Sequence, residues 1–163
     1  PVAASRRWLR GVPATFAGDL SAADMSRAYG EADLLAAPSY TEAFGLVVQE
    51  ALVHGLPVAA SRVGGLAEIL APSAEREATG AAGPGEPEGT PGPPADPGGI
   101  LVPPGDARAL AAAIREIALD PVRWRRRARE AGRALAAART PRAALDALDA
   151  LYASAVGHRK AVP

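Results

Sequence analysis

Three short apolar runs, separated by stretches of helical character, constrain the fold of this chain more than any other feature. They are "DLLAAP" from Asp33, "PVAAS" from Pro57 and "GILVPPGD" from Gly99. The middle run is too short and too apolar for anything but a strand buried on both faces. Between the first two lies "LVVQEALVHG" from Leu46, which has the length of a helix and stops at Gly55. Strand, helix, strand in that order predicts an α/β fold: a Rossmann-like, three-layer parallel sheet with helices on both faces.

The flanking segments extend the same alternation. Val2 to Leu9 reads as the end of a helix, and "ATFAG", ending at Gly18, as a strand. Ser21 caps a short helix over "AADMSRAYG", closed by Gly30, and "GGLAEIL" supplies one or two helical turns. Asp106 caps a helix with Leu110, Ala113, Ile114 and Ile117 on one face. Pro121 opens another, with a stripe of Trp124, Ala128, Ala131 and Leu135, and Pro141 opens a last one through Leu145, Leu148 and Tyr152. The exception is Ala71 to Gly99, where Gly, Pro, Ala and acidic residues dominate around "GPGEPEGTPGPPADPGG". Such a composition buries too little apolar surface to offset its ordering entropy, so it predicts a long mobile surface loop.

A length of 163 residues suits one domain, taken here as 1–163. Eighteen Lys and Arg balance eighteen Asp and Glu, which gives no electrostatic case for a nucleic-acid partner. The absence of cysteine excludes disulfides, thiolate metal sites and a cysteine nucleophile. No apolar run reaches the roughly 20 residues of a membrane span. A cytoplasmic domain is the expectation, with peripheral contact at the inner membrane face left open.

Ligands of parallel sheets sit where strands give way to helices. Here "DLLAAP" runs directly into "SYTEAFGL", which brings Glu42, Phe44, Gly45 and Leu46 to that position. Gly45 permits close backbone approach, and the first-turn amides with the helix dipole suit an anion. Glu42 and Glu50 stand eight positions apart on either side of this turn. A carboxylate beside a phosphate is repulsive, so both make sense only as acceptors from neutral donors such as vicinal sugar hydroxyls. Helical side chains lean back toward the N-terminus, which lets Glu50 reach beside whatever the first turn binds. A molecule with a sugar, a diphosphate and a second sugar meets all of these demands at once: a nucleotide-sugar.

The ordered series "ADLLAAPSYTEAFGLVVQEALVHGLPVAASRVGGLAEIL", Ala32 to Leu70, resembles the donor-binding, C-terminal half of retaining GT-B-fold glycosyltransferases of the group 1, or family 4, type. The likeness rests on paired glutamates around an F-G-L turn, on G-x-P-V leading into a strand, and on Gly64, Gly65 and Glu68. "GILVPPGDARALAAAI" resembles the family's later strand, turn and helix. The resemblance implies a bacterial hexosyltransferase that needs no metal and no cofactor. It implies Glu50 on the nucleotide ribose and Glu42 facing the transferred sugar in a catalytic role. Backbone amides of Phe44, Gly45, Leu46 and Val47 would hold sugar and diphosphate, and Gly18, Asp19 and Leu20 would lie near the base.

The family's opening strand and glycine-rich turn, with an Arg and a Lys for the diphosphate, do not stand ahead of Pro1, and Thr140 and Pro141 replace its usual aromatic pair. The expectation is therefore a partial donor-binding domain, inactive until joined to an N-terminal acceptor-binding domain of the same protein. Two other readings are open: a sugar-nucleotide epimerase of the same architecture, and a non-catalytic binding or interaction fragment. Structural roles are open too. Glu50 can be a solvated helix residue, Glu42 a carboxylate stabilising the helix dipole, and Gly64-Gly65 a tight turn. His54 and His158 lack partners at metal or triad spacing and read as a helix-end and a tail histidine. Arg125, Arg126, Arg129 and Arg133 read as a solvated face opposite the Trp124 stripe. No D-x-D pair, P-loop or G-x-G-x-x-G fingerprint is present.

Overall fold

The computed structural model describes residues 11–71 and 97–138. The helix end read over Val2 to Leu9, the last helix read from Pro141, and nearly all of the Gly/Pro-rich segment between Ala71 and Gly99, lie outside the described residues. Within them, α1 (Ala22–Glu31) precedes β1 (Leu35–Ala37), α2 (Leu46–Val53), β2 (Val58–Ser61), α3 (Gly64–Leu70), β3 (Gly99–Val102), α4 (Ala107–Leu119) and α5 (Pro121–Ala138).

The three strands form one parallel sheet in the order β1-β2-β3. Leu35 pairs with Val58, Ala37 with Ala60, Val58 with Gly99 and Ser61 with Val102. Alternation along β2 divides the core. Val58 and Ala60 face a cluster with Tyr29, Val48, Leu52, Leu56, Leu66, Ile69, Leu70, Ala128 and Ala131. Ala59 faces the opposite cluster of Val102, Ala113, Ile117 and Trp124. Helices thus cover both faces, as the apolar run in β2 requires, and every residue of that strand is buried.

Local chemistry accounts for the helix ends. Ser21 Oγ accepts from the Asp24 amide at 3.2 Å, and Asp106 Oδ1 accepts from the Ala109 amide at 2.9 Å, so both predicted caps are in place. The helix opened by Ser21 runs one residue past Gly30, and its capping Ala32 donates its N–H to the Ala28 carbonyl. Close packing of α2 on α5 depends on Gly132, where a Cβ would collide with the Leu52 carbonyl oxygen. Arg125 donates to the Ala32 carbonyl at 2.6 Å and lies 3.6 Å from Asp33, which ties α5 to the junction of α1 and β1. Arg125 is therefore half-buried, whereas Arg126, Arg129 and Arg133 are exposed as expected.

The "ATFAG" run is not a strand. Residues 14–18 are exposed throughout and join no sheet ladder among the described residues. The apolar content that suggested a strand is slight, and Pro13 removes a ladder donor just ahead of it. No helix among the described residues is long and apolar enough to cross a membrane.

Candidate functional site

The loop from Pro38 to Gly45 leaves the carboxyl end of β1 and opens α2. Gly45 is the N-cap residue, with φ 62° and ψ 38°, a left-handed conformation that suits glycine. Space is equally restrictive there: a Cβ on Gly45 would lie 2.8 Å from both Ile69 Cδ1 and Leu66 Cδ2. The loop therefore rests directly on α3. Gly65 donates its N–H to the Glu42 carbonyl at 3.0 Å, and a Cβ on Gly65 would sit 2.5 Å from the Ala43 carbonyl oxygen. Gly64 is as confined, because its Cβ would strike the Glu42 carbonyl oxygen. The Gly64-Gly65 pair is a packing requirement that lets α3 hold the loop.

Glu42 is held at both ends. Its carbonyl takes the Gly65 amide, while its carboxylate Oε1 accepts from the amides of Phe44 at 3.3 Å and Gly45 at 3.2 Å. Two of the amides expected to face an anion are thus engaged by the chain's own carboxylate. The N–H groups of Leu46 and Val47, in the first turn, have no acceptor within the helix. Gln49 closes the loop from the other side, donating from Nε2 to the Phe44 carbonyl at 2.7 Å. Around this turn Tyr40, Phe44 and Leu46 leave apolar surface uncovered, at 77%, 73% and 66% exposure.

Glu50 stands on α2 facing α1. Its Oε2 accepts from the Tyr29 hydroxyl at 2.9 Å. The Tyr29 ring is buried in the core, and the His54 ring lies 5.3 Å from it, tilted by 37°. His54 Nδ1 is 2.8 Å from the Glu50 carbonyl, which can only accept, so that nitrogen carries a proton. In the neutral ring Nε2 then accepts from Ser26 Oγ, 2.8 Å away. Burial, the hydrogen bond to Glu50 and the nearby Glu50 charge, in that order, push the Tyr29 phenol up to about 12 from its ordinary 10.

The fold brings Glu42, Phe44, Gly45, Leu46, Val47 and Glu50 onto one loop and the first two turns of one helix. Gly18, Asp19 and Leu20 lead into the cap of α1, with Gly18 and Asp19 exposed. Among the described residues no hydrogen bond or ion pair joins them to either glutamate. Sequence reasoning missed Ser26, Tyr29, Gln49 and the network role of His54. The available signal was spacing: Ser26 and Tyr29 share one face of α1, and Glu50 and His54 one face of α2.

The family model described as glycosyl transferases group 1 matches residues 3–120. A sulfoquinovosyl transferase of Arabidopsis thaliana is 47% identical over 60 residues, 37% of this chain and 12% of that protein. A D-inositol 3-phosphate glycosyltransferase of Kineococcus radiotolerans is 38% identical over 101 residues, 62% of this chain and 20% of that protein. Among solved structures, a sucrose-phosphate synthase from Thermosynechococcus elongatus superposes with a TM-score of 0.68 at 30% identity, covering 96% of this chain and 34% of that one. The chain thus spans a fifth or less of these two curated relatives and about a third of the solved neighbour. The matched residues take in both glutamates and the turn between them, and the parallel sheet covered by helices is that of a GT-B protein: the chain belongs to the group 1 glycosyltransferases.

Proposed function

We propose that the chain is the donor-binding part of a retaining hexosyltransferase, which passes a sugar from a nucleoside diphosphate to an acceptor hydroxyl with its anomeric configuration kept. An N-terminal acceptor-binding domain of the same protein completes the site. The observation that carries this reading is the clamped loop, which fixes the Glu42 carboxylate on the Phe44 and Gly45 amides where α2 opens, with Glu50 following on the same helix.

The amides of Leu46 and Val47, with the positive end of the α2 dipole, take diphosphate oxygens. Glu50 accepts from ribose hydroxyls. Glu42 holds the Phe44 and Gly45 amides until donor oxygens take them over, and its carboxylate then faces the transferred sugar. As the bond from the sugar to the diphosphate breaks, positive charge grows on the sugar ring, and a fixed carboxylate stabilises that charge more than the ground state. The amides and the dipole receive the leaving diphosphate, so the proposal assigns no role to a metal ion. Gly18 to Leu20 approach the base through backbone atoms. The sugar-transfer names of the relatives support this class of reaction.

The test is a transfer assay on a protein that carries this chain with its acceptor-binding domain, supplied with UDP-, GDP- and ADP-hexoses, the product anomer being read by NMR. A product with the donor's configuration is expected. An inverted product contradicts retention, and sugar interconversion without transfer favours the epimerase reading.

A further inference from the structure

We propose that Tyr29 is a positioning residue for donor binding, fixing the Glu50 carboxylate in the orientation that receives the two ribose hydroxyls. This rests on the assignment of Glu50 to the ribose made above.

Glu50 is exposed, on a helix face, and a free glutamate there samples many rotamers. Ordering such a side chain on binding is among the larger side-chain entropy costs. Tyr29 removes much of that cost in advance. Its ring is anchored in the core, 6% exposed and against His54, while its hydroxyl reaches Glu50 Oε2 at 2.9 Å. His54 is itself fixed at both nitrogens, by the Glu50 carbonyl and by Ser26. The carboxylate is thus held from its distal end by a rigid phenol, and its own backbone carbonyl is engaged through the imidazole. The phenol occupies one of about four lone-pair directions on the carboxylate. Oε1 and the second lone pair of Oε2 are left for two vicinal hydroxyls in a plane set before the ligand arrives, and preorganisation of this kind raises affinity without a new ligand contact.

The buried anchor also explains why the partner is tyrosine. A serine or threonine on α1 has no ring to lock into the core, and a phenylalanine keeps the packing but loses the donor. Tyr29→Phe therefore separates positioning from packing.

The experiment is calorimetric titration of the chain with UDP, GDP and ADP, followed by the 2′-deoxyribose form of whichever binds most tightly. Tyr29→Phe is expected to weaken the ribonucleoside diphosphate by about threefold to tenfold, the range of one net hydrogen bond. The deoxy form should weaken less, so that discrimination between the two narrows. Glu50→Gln should weaken the ribo form at least as much, and adding Tyr29→Phe to it should cost little more. Equal weakening of both forms by Tyr29→Phe would reduce Tyr29 to a packing residue and overturn the proposal. If Glu50→Gln weakens binding while Tyr29→Phe leaves it unchanged, the positioning role fails and the ribose assignment stands. If both variants bind like the parent, or no diphosphate binds, the ribose assignment fails and the proposal with it.

Discussion

The Gly65 N–H donates to the carbonyl oxygen of Glu42 at 3.0 Å, so the start of α3 clamps the backbone of the residue proposed to face the transferred sugar. The contact leaves no room for a side chain, since a Cβ at this glycine would lie 2.5 Å from the Ala43 carbonyl oxygen and 2.9 Å from Phe44 C.

Gly65→Ala is accordingly expected to destabilise the fold by about 1–3 kcal/mol, the usual range for overpacking, and to shift the loop that carries Glu42. Gly30 provides the control. It lies in α1, and nothing stands within 4 Å of its would-be Cβ, so Gly30→Ala should stabilise by about 0.5–1 kcal/mol. Thermal denaturation of the two variants checks both signs, and a neutral Gly65→Ala would show that the loop is free of α3.

Much of this architecture is legible in the sequence because its causes are local. β2 announces itself through its unbroken apolar run, and Ser21 and Asp106 mark helix starts through a side-chain oxygen placed before free amides. The motif around Glu42 and Glu50 also points to its position at the strand-to-helix turn. What the sequence does not carry is pairing between distant elements. Tyr29 and Glu50 are 21 residues apart, Ser26 and His54 28 apart, and only the packing of α1 on α2 joins them. The "ATFAG" run shows the converse error. A short apolar stretch resembles a strand, yet strands exist by pairing, and this one has no partner among the described residues.

Tyr29 gives a pH-dependent signature. Its phenol is held up to about 12 against an ordinary value near 10, first by burial and then by the bond to Glu50 and the Glu50 charge. Below pH 10 it is neutral in both folded and unfolded chains, and its contribution to stability is full. Between about pH 10 and 12 the unfolded chain releases a proton that the folded chain keeps, so stability falls as pH rises across that window. Tyrosinate absorbance, read as the difference from Tyr29→Phe, should show Tyr29 ionising late, and Glu50→Gln should bring that step to lower pH. Ionisation of Tyr29 near pH 10 would contradict its burial against Glu50.

The chain by itself should bind a nucleoside diphosphate yet transfer no sugar, because the acceptor is assigned to another domain. A coupled assay for released diphosphate, run with excess nucleotide-sugar and with the chain as sole protein, checks this. Sustained release with sugar transfer would mean that the chain holds its own acceptor site.

The two glutamates provide the most direct test, through steady-state kinetics with the donor varied, on a protein that carries this chain with its acceptor-binding domain. Glu50→Gln should raise KM for the donor with kcat nearly kept, since the ribose is remote from the bond that breaks and its charge-assisted hydrogen bonds, roughly 1.5–3 kcal/mol, are lost equally from ground and transition states. Glu42→Gln retains an amide oxygen that can still cap the Phe44 and Gly45 amides, so the loop should hold while the charge is gone. Its kcat should fall with little change in KM. Equal falls in kcat for both variants, or a loss confined to KM in Glu42→Gln, would contradict the account and leave both carboxylates as clamps on sugar hydroxyls.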